Sequence, residues 1–552
     1  MPDLHPAFWP AGLPRHLSVP RTNLFYNLEV SARRYPDKPL AIFYDTPLTY
    51  ADCIGQVEKL AGHLQVVCGV KPGDCVLLYL QNSPQFIVAY YAILRANAVV
   101  VPVNPMNLTE ELRHYVSDTG AATIVTAQDL MPQVGPLMAH GLRHVLVAAY
   151  SDYLTVPTDL PVPESIAAAR EALTGDGVVP WSTMLANAHC PGAMTASADA
   201  LAVMPYTSGT TGHPKGCMHT HASVMYNALA GVQWFGAQQD ATSLSVLPLF
   251  HVTGMQGGMN GPIFSGATIV LMARWDRDTA AELIRRHRVN AVQLITTMVI
   301  DLLSSPRIDD YDLSSLTRIS GGGAAMPDAI AQKLQALLGI PYVEGYGMSE
   351  TIAPTHINPV AHPKRQCLGI PIQDVDARIV DPESLAELAR GEVGEIVVHG
   401  PQVMRGYWNN LEATRDAFVY IDGKRFLRTG DLARIDDDGY FFMVDRLKRM
   451  INASGYKVWP AEVEMLLYRH PAIREVCVVA SFDARRGETV KAVVALRAGL
   501  EHSVGAQEII HWAHQNMAAY KCPRIVEFCA VLPKSATGKV QWRALEERAP
   551  KV

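Results

Sequence analysis

The chain of 552 residues has little charge, no excess of positive charge and no clustered thiols. Lys, Arg, Asp and Glu make up 18% of it, and the net charge is −6. That balance leaves no basic footprint for nucleic acid, although a local basic pocket can still hold an anionic ligand. Nine cysteines are scattered without a single Cys-x-x-Cys pair. An odd, unpaired set argues against a zinc cluster or a disulfide framework and suits a reducing, cytoplasmic setting. The longest apolar region, roughly 86–103, is interrupted by Arg95 and Asn97. It reads as a helix running into a buried strand and not as a membrane span. The opening Met-Pro-Asp-Leu-His-Pro lacks a basic segment followed by an apolar stretch, so no signal peptide is expected. A Walker A loop is also missing: nowhere in the Gly-rich segment does the order Gly, four residues, Gly-Lys-Ser/Thr occur.

What is present is ample apolar material, 49% of the chain, in a length too great for one core. After a proline-rich arm, strand and helix patterns alternate. Cys75 to Leu80 reads as a buried strand, Pro84 to Arg95 as a helix, Val99 to Val103 as a strand, Glu110 to Ser117 as a helix and Ala122 to Thr126 as a strand. Such βα alternation predicts parallel sheets covered by helices. Residues 150–197 interrupt the rhythm, with one expected helix, Glu164 to Thr174, and no strong strand. A second βα series follows, with strands at Ser243 to Leu247, Thr268 to Met272, Ala291 to Ile295 and Leu316 to Ile319, and helices at Asp278 to Arg288 and Asp328 to Leu338. Past about residue 372, short strands with turn signals predict a smaller β-rich unit. The last hundred or so residues read as α+β.

The densest run of small hydroxyl and glycine residues is Tyr206-Thr-Ser-Gly-Thr-Thr-Gly-His-Pro-Lys-Gly216, placed after an apolar strand and before a helix starting near Ala222. Glycines admit close backbone approach, hydroxyls and N–H groups donate, and a lysine adds charge, which suits a polyphosphate. Four more stretches join it: Tyr346-Gly-Met-Ser-Glu-Thr351, Thr429-Gly-Asp431, Asp445-Arg-Leu-Lys-Arg-Met-Ile451 leading to Ser454-Gly-Tyr456, and Pro533-Lys-Ser-Ala-Thr-Gly-Lys539. Each alone has a plain reading. Glu350 would be a solvated carboxylate, Asp431 a turn residue, Arg446 and Lys448 a solvated face, Lys539 a surface lysine and His251 a hydrogen-bonded residue at a strand end.

Together and in this order, from about Asn23 to Leu545, they resemble the AMP-forming adenylating superfamily of acyl- and aryl-CoA synthetases, adenylation domains and beetle luciferases. The resemblance implies an α/β fold: a large N-terminal domain of βα-layered sheets with a small β-rich subdomain, residues 1–446, and a small mobile α+β domain, residues 447–552, hinged near Lys448. It implies a ligase that uses ATP, Mg²⁺ and coenzyme A to activate a carboxylic acid as acyl-adenylate and pass it to a thiol. Thr207, Ser208, Gly209, Thr210, Thr211 and Gly212, with Lys215, are expected to cradle the β- and γ-phosphates. Glu350, with Thr210, is expected to hold Mg²⁺, a hard cation that prefers oxygen ligands. Tyr346 offers its face to adenine, opposite Gly322, Gly323 and Ala324. Glu344, Gly345, Gly347, Met348, Ser349 and Thr351 complete that nucleotide-binding segment. Asp431 is expected at the ribose hydroxyls with Arg446 in support, and Lys539 at the α-phosphate, where negative charge builds. His251 would sit beside the acyl pocket. A turn about Lys448 would withdraw Lys539 and bring Ser454, Gly455 and Tyr456 to the pantetheine arm.

The acid is expected from Phe250 to Met255, Gly257, Gly321 to Ala325, Tyr346 and Met348, a set that is small or apolar and without a fixed cation. That favours a medium- to long-chain fatty acid over dicarboxylates and amino acids. Met255 stands where some long-chain relatives carry a tryptophan gate, so aryl and other acids stay open, as does a luciferase-like oxygenase using the same adenylate. Asn452 replaces a lysine that some relatives place after the hinge. The partners expected are the acid, ATP and coenzyme A, with no nucleic acid; a homodimer and peripheral membrane contact are left open.

Overall fold

The computed structural model describes residues 8–207, 214–323, 325–453, 456–483, 487–500, 503–534 and 540–546. The chain divides into two compact units, residues 1–376 with 398–427, and residues 377–397 with 428–552.

The first unit holds two large sheets. One has nine strands in the order Ile370–Pro371, Ala353–Ile357, Tyr342–Met348, Arg318–Gly322, Ala291–Gln293, Thr242–Ser245, Thr268–Leu271, Pro39–Phe43, Thr46–Thr49. Its six central strands, from Tyr342–Met348 to Pro39–Phe43, run parallel. The other sheet has seven strands, with Cys75–Tyr79 at its centre between Val99–Pro102 and Thr123–Ala127. Cys75–Tyr79, Val99–Pro102 and Thr123–Ala127 are buried at every position, which is why they read as unbroken apolar runs and not as alternating ones.

Helix Pro84–Arg95 has the bounds its sequence predicts. Ser83 caps it by accepting from the Phe86 N–H, proline occupies its first turn, and every residue from Pro84 to Leu94 is buried. A helix apolar on all sides belongs inside a fold. Just before it, Asn82 donates to the carbonyls of Leu247 and Met272 and accepts from the Leu249 N–H at 2.8 Å. The loop leading to His251 is thereby fixed from the core side.

The stretch 150–197 departs from expectation. The helix begins at Glu164 but ends at Ala167. Beyond that point tertiary partners take the backbone groups a helix would need: Gln128 donates to the Ala169 carbonyl and accepts from the Glu171 N–H, and Ser151 donates to the Ala168 carbonyl. A strand, Val178–Pro180, and a helix, Trp181–Asn187, follow. With His144–Ala148 that strand extends the seven-stranded sheet to its edge, so the segment is part of the layer and not only a connection.

In the second unit the residues of strand Lys424–Ile435 from Arg428 onward pair antiparallel with Phe441–Arg446. A five-stranded sheet follows, built on the long hairpin Ile473–Asp483 and Gly487–Leu496. Helices Pro460–Leu467 and Ala506–Asn516 supply Val463, Leu467, Ile509 and Ala513 to a core with Ile451, Val478 and Val494. The α+β reading of this end holds. Among the described residues no helix is long and apolar enough to cross a membrane.

Candidate active site

The two ends of the Gly-rich segment pair as a short two-stranded stem. Thr207 pairs with Lys215 and Tyr206 with Gly216. The stem is anchored by the Trp408 N–H donating to the Gly216 carbonyl at 2.8 Å and by His114 donating to the Pro214 carbonyl at 2.8 Å. Lys215 Nζ lies 4.5 Å from the ring centre of Tyr407, within cation–π range. The Tyr407 hydroxyl in turn donates to Glu350 Oε1 at 2.8 Å. Burial and the Glu350 charge push that phenol well above its ordinary range, so it stays protonated and donates. One ring thus connects two expected site residues that are far apart in sequence. Tyr407 itself was not anticipated, because no local motif marks it.

Glu350 sits in the short turn Ser349–Thr351 that ends strand Tyr342–Met348. The Ser349 carbonyl accepts from Nε2 of buried His219 at 2.7 Å. Burial drives the His219 pKa down to about 4, which keeps the ring neutral at physiological pH. Asn227 donates to the carbonyls of Thr351 and Ile352. Ile352 and Ala353 follow with φ of 47° and 77°. Two adjacent left-handed non-glycine residues are strained backbone, held here by that surrounding network.

Gly322 pairs with Gly345 across the parallel strands, and a Cβ on Gly322 would meet the Gly345 carbonyl at 2.3 Å. Neighbouring strands approach there more closely than any other residue allows. Tyr346 is half-buried, pairs with His356 across the sheet and meets its ring edge-on at 5.6 Å. Met348 packs beside Tyr407 and Cys217. Glu344 differs from the rest: its two oxygens accept from the N–H groups of Met326, at 2.6 Å, and Cys367, at 2.9 Å. Its carboxylate fastens two loops, including the one after Gly323, and thereby shapes the edge of the site.

His251 caps a helical run that passes through Val252–Met255, a π-helical turn Gln256–Asn260 and Gly261–Ser265. Single π turns inside helices recur at functional sites. The run packs against helix His221–Trp234 and the nine-stranded sheet, and between them lies a cavity with about 910 Å³ of atom-free space, its open mouth included. Thr253 and Gly257 line it. The remaining expected acid-contacting residues do not, and Met255 is fully buried. The cavity is also lined by Asn227 and Val232 on the helix, by Phe235 just past its end, and by residues 243–247 and 291–293 on the sheet side. Arg318, which is outside the expected set, also lines this cavity.

In the second unit, Asp431 and Arg446 face each other across paired strands, with Arg446 Nε 2.8 Å from Asp431 Oδ1. Glu395 organises the turn before them by accepting from Arg428 and from the Gly430 N–H. Lys448 lies in the turn Leu447–Arg449. That turn is clamped on both sides. Asp445 accepts from its neighbour Arg446 N–H and from the Ala461 N–H at the start of helix Pro460–Leu467, while Arg449 pairs with Glu464 and donates to the Val478 carbonyl. The backbone of Tyr456 opens strand Tyr456–Val458. Ser208, Gly209, Thr210, Thr211, Gly212, Ala324, Ser454, Gly455 and Lys539 lie outside the described residues.

Among the described residues no group of three or more His, Cys, Asp or Glu forms a metal cluster. A single buried carboxylate, Glu350, beside a lysine fits Mg²⁺, which keeps its waters and binds through one or two carboxylates plus substrate phosphates. Largely parallel sheets, a short stem ending in Lys215 and a buried carboxylate at Glu350, with a small α+β unit later in the chain, are the arrangement of the adenylating class of α/β enzymes. Comparison with known proteins agrees. The AMP-binding enzyme family matches residues 28–408, and the AMP-binding enzyme C-terminal domain matches residues 462–539. The chain belongs to this family and is an AMP-forming acyl-CoA ligase that uses ATP, Mg²⁺ and coenzyme A. It is 35% identical to a long-chain-fatty-acid–CoA ligase of Bacillus subtilis, over 98% of this chain and 97% of that one. It is 32% identical to a feruloyl-CoA synthase of an Amycolatopsis species, over 92% and 95%. ATP-bound MatB of Rhodopseudomonas palustris superposes with a TM-score of 0.81 at 27% identity, over 95% and 98%.

Proposed function

We propose that this ligase activates a medium- to long-chain aliphatic carboxylic acid. A carboxylate oxygen attacks the α-phosphorus of ATP, the bond to the β-phosphate breaks and pyrophosphate leaves. The sulfur of coenzyme A then attacks the acyl carbon, and AMP leaves with the bonding pair. The cavity behind His251 carries the substrate reading: it opens between the helical run, helix His221–Trp234 and the sheet, and the relative at 35% identity is a long-chain-fatty-acid–CoA ligase. A second reading, an aryl acid, is favoured by the feruloyl-CoA synthase at 32% identity.

The residue roles follow from charge and position. Lys215 and Thr207 at the stem hold the phosphates that leave, and Tyr407 aims both Lys215 and Glu350. Glu350, with Thr210, would hold Mg²⁺, which would supply positive charge against the phosphates. Tyr346 and Gly322 border the adenine, and Asp431 accepts from the ribose hydroxyls with Arg446 supporting it. Lys539 stabilises the charge that builds at the α-phosphate. The small domain, residues 447–552, turns at Lys448 between the two half-reactions. The Asp445 carboxylate accepts from the Ala461 N–H across that turn, so this rotation has to break that contact.

Pyrophosphate release across a panel of acids, with and without coenzyme A, tests the substrate. Octanoate and longer acids should lead; benzoate or ferulate leading would replace this reading with the aryl one. Lys539→Ala should lower adenylate formation by roughly 10²–10³, the usual loss for a donor aimed at developing charge. Thioester formation from supplied acyl-adenylate should persist. Equal loss in both half-reactions would sink the alternation.

A further inference from the structure

The sheet side of the cavity sets polar residues among apolar ones. Registers place Ser243 beside Ala291 and Ala291 beside Arg318, then Gln293 beside Ser320 one step along. Ser243 and Ser245, Ala291 and Gln293, Arg318 and Ser320 all line the cavity. Residues two apart in a strand share a face. Of the intervening apolar residues, Leu244 and Val292 also line the cavity and Ile319 does not. The π-helical turn fits over this wall, since a Cβ on Gly257 would meet Gln293 Oε1 at 2.2 Å and one on Gly258 would meet Ser245 Oγ at 2.3 Å. The glycines make room for the polar groups beneath them.

Among the described residues, three of these groups have no hydrogen-bond partner: Ser243 Oγ and Ser245 Oγ, on residues 9% and 3% exposed, and Gln293 Oε1. Arg318 is half-buried, and its guanidinium lies 4.7 Å from the Phe235 ring centre. Burial lowers its pKa to about 10, which still leaves it charged, and no described carboxylate pairs with it. Buried polar groups are normally paired, so an unpaired set facing one cavity indicates a polar guest. Arg318 begins its strand and Gly322 ends it. Four residues at about 3.3 Å each put the Arg318 backbone about 13 Å from that of Gly322.

We propose that the acyl pocket recognises a second carboxylate at the far end of a medium-length chain, with Arg318 binding that anion and the hydroxyls of Ser243 and Ser245 donating to the oxygens of the guest. This rests on the aliphatic reading above and narrows it from plain fatty acids to α,ω-dicarboxylic acids. Only one carboxyl end is activated; the other stays ionised on Arg318.

Steady-state thioester formation with octanoate, octanedioate, decanoate, decanedioate and ferulate, on the full-length enzyme and on Arg318→Met, decides it. The native enzyme should prefer each dioate to its monoacid in kcat/KM, and Arg318→Met should lose about 10- to 100-fold on the dioate, the usual range for a hydrogen bond to a charged group, so that the order inverts. Arg318→Lys should lie between the two. If the native enzyme prefers monoacids, the distal carboxylate is wrong and the aliphatic reading survives. If only ferulate is turned over, the aliphatic reading itself fails. The native enzyme's order of preference separates these outcomes even where Arg318→Met does not fold.

Discussion

Glu344 and Glu350 are close in sequence and both buried, yet they are satisfied in opposite ways. Glu344 gives its two oxygens to backbone N–H groups of Met326 and Cys367. Glu350 takes a side-chain hydroxyl, from Tyr407, whose ring face carries Lys215. A carboxylate bound by backbone is fixed in place and holds loops together. A carboxylate bound through another side chain stays coupled to that side chain's other partners. Burial alone therefore does not set the proposed Mg²⁺ ligand apart from Glu344; the kind of partner does.

Exchanging each carboxylate for an amide tests the contrast most severely. Glu350→Gln should cut pyrophosphate release by roughly 10²–10³, with a raised Mg²⁺ requirement, because a charge facing the phosphate site is removed. Its melting temperature should change little. Glu344→Gln should do the reverse. Its amide can accept only on one side, so one N–H loses its partner at about 1–3 kcal/mol of stability, while specific activity of the folded fraction is retained. Finding the two patterns exchanged would break the distinction. Thermal unfolding and a coupled pyrophosphate assay on the same preparations read both.

The next largest effect lies in three buried histidines. His63, His219 and His221 are buried, and burial lowers each pKa from 6.5 to about 4. With the folded pKa depressed, the stabilisation is full above pH 6.5 and is lost as pH falls toward 4, where the unfolded chain takes up protons that the folded one refuses. Each group accounts for up to about 3 kcal/mol across that window. His219→Gln should flatten the acid side of a plot of melting temperature against pH. An unchanged slope would mean that His219 is protonated in the native state.

Much of the fold was legible because buried parallel strands are written as apolar runs, and helix Pro84–Arg95 carried its own cap and proline. The five motifs were legible for the same reason: each is local. What failed was long-range. The helix expected to reach Thr174 stops at Ala167 because Gln128 and Ser151 take its backbone groups. Tyr407 sits 57 residues from the carboxylate it serves. Arg318 was in view inside a strand, but its neighbours Ser243 and Gln293 come from other strands, and only register brings them to one wall.

Tyr407→Phe gives the smallest and most discriminating change, because it separates the two contacts of one side chain. The ring remains under Lys215, so the cation–π contact, about 0.5–2 kcal/mol, survives. Only the hydroxyl that orients Glu350 is lost. A hydrogen bond to a charged acceptor is worth about 1.5–3 kcal/mol, so activity should fall by roughly one order of magnitude, less than for Glu350→Gln. Combining the two substitutions should add almost nothing to Glu350→Gln alone, since the hydroxyl acts through that carboxylate. Tyr407→Leu should cost more than Tyr407→Phe by the share that passes through Lys215. If the double variant is instead fully additive, Tyr407 serves the phosphate loop on its own account, and the two acidic residues differ by location and not by how they are held.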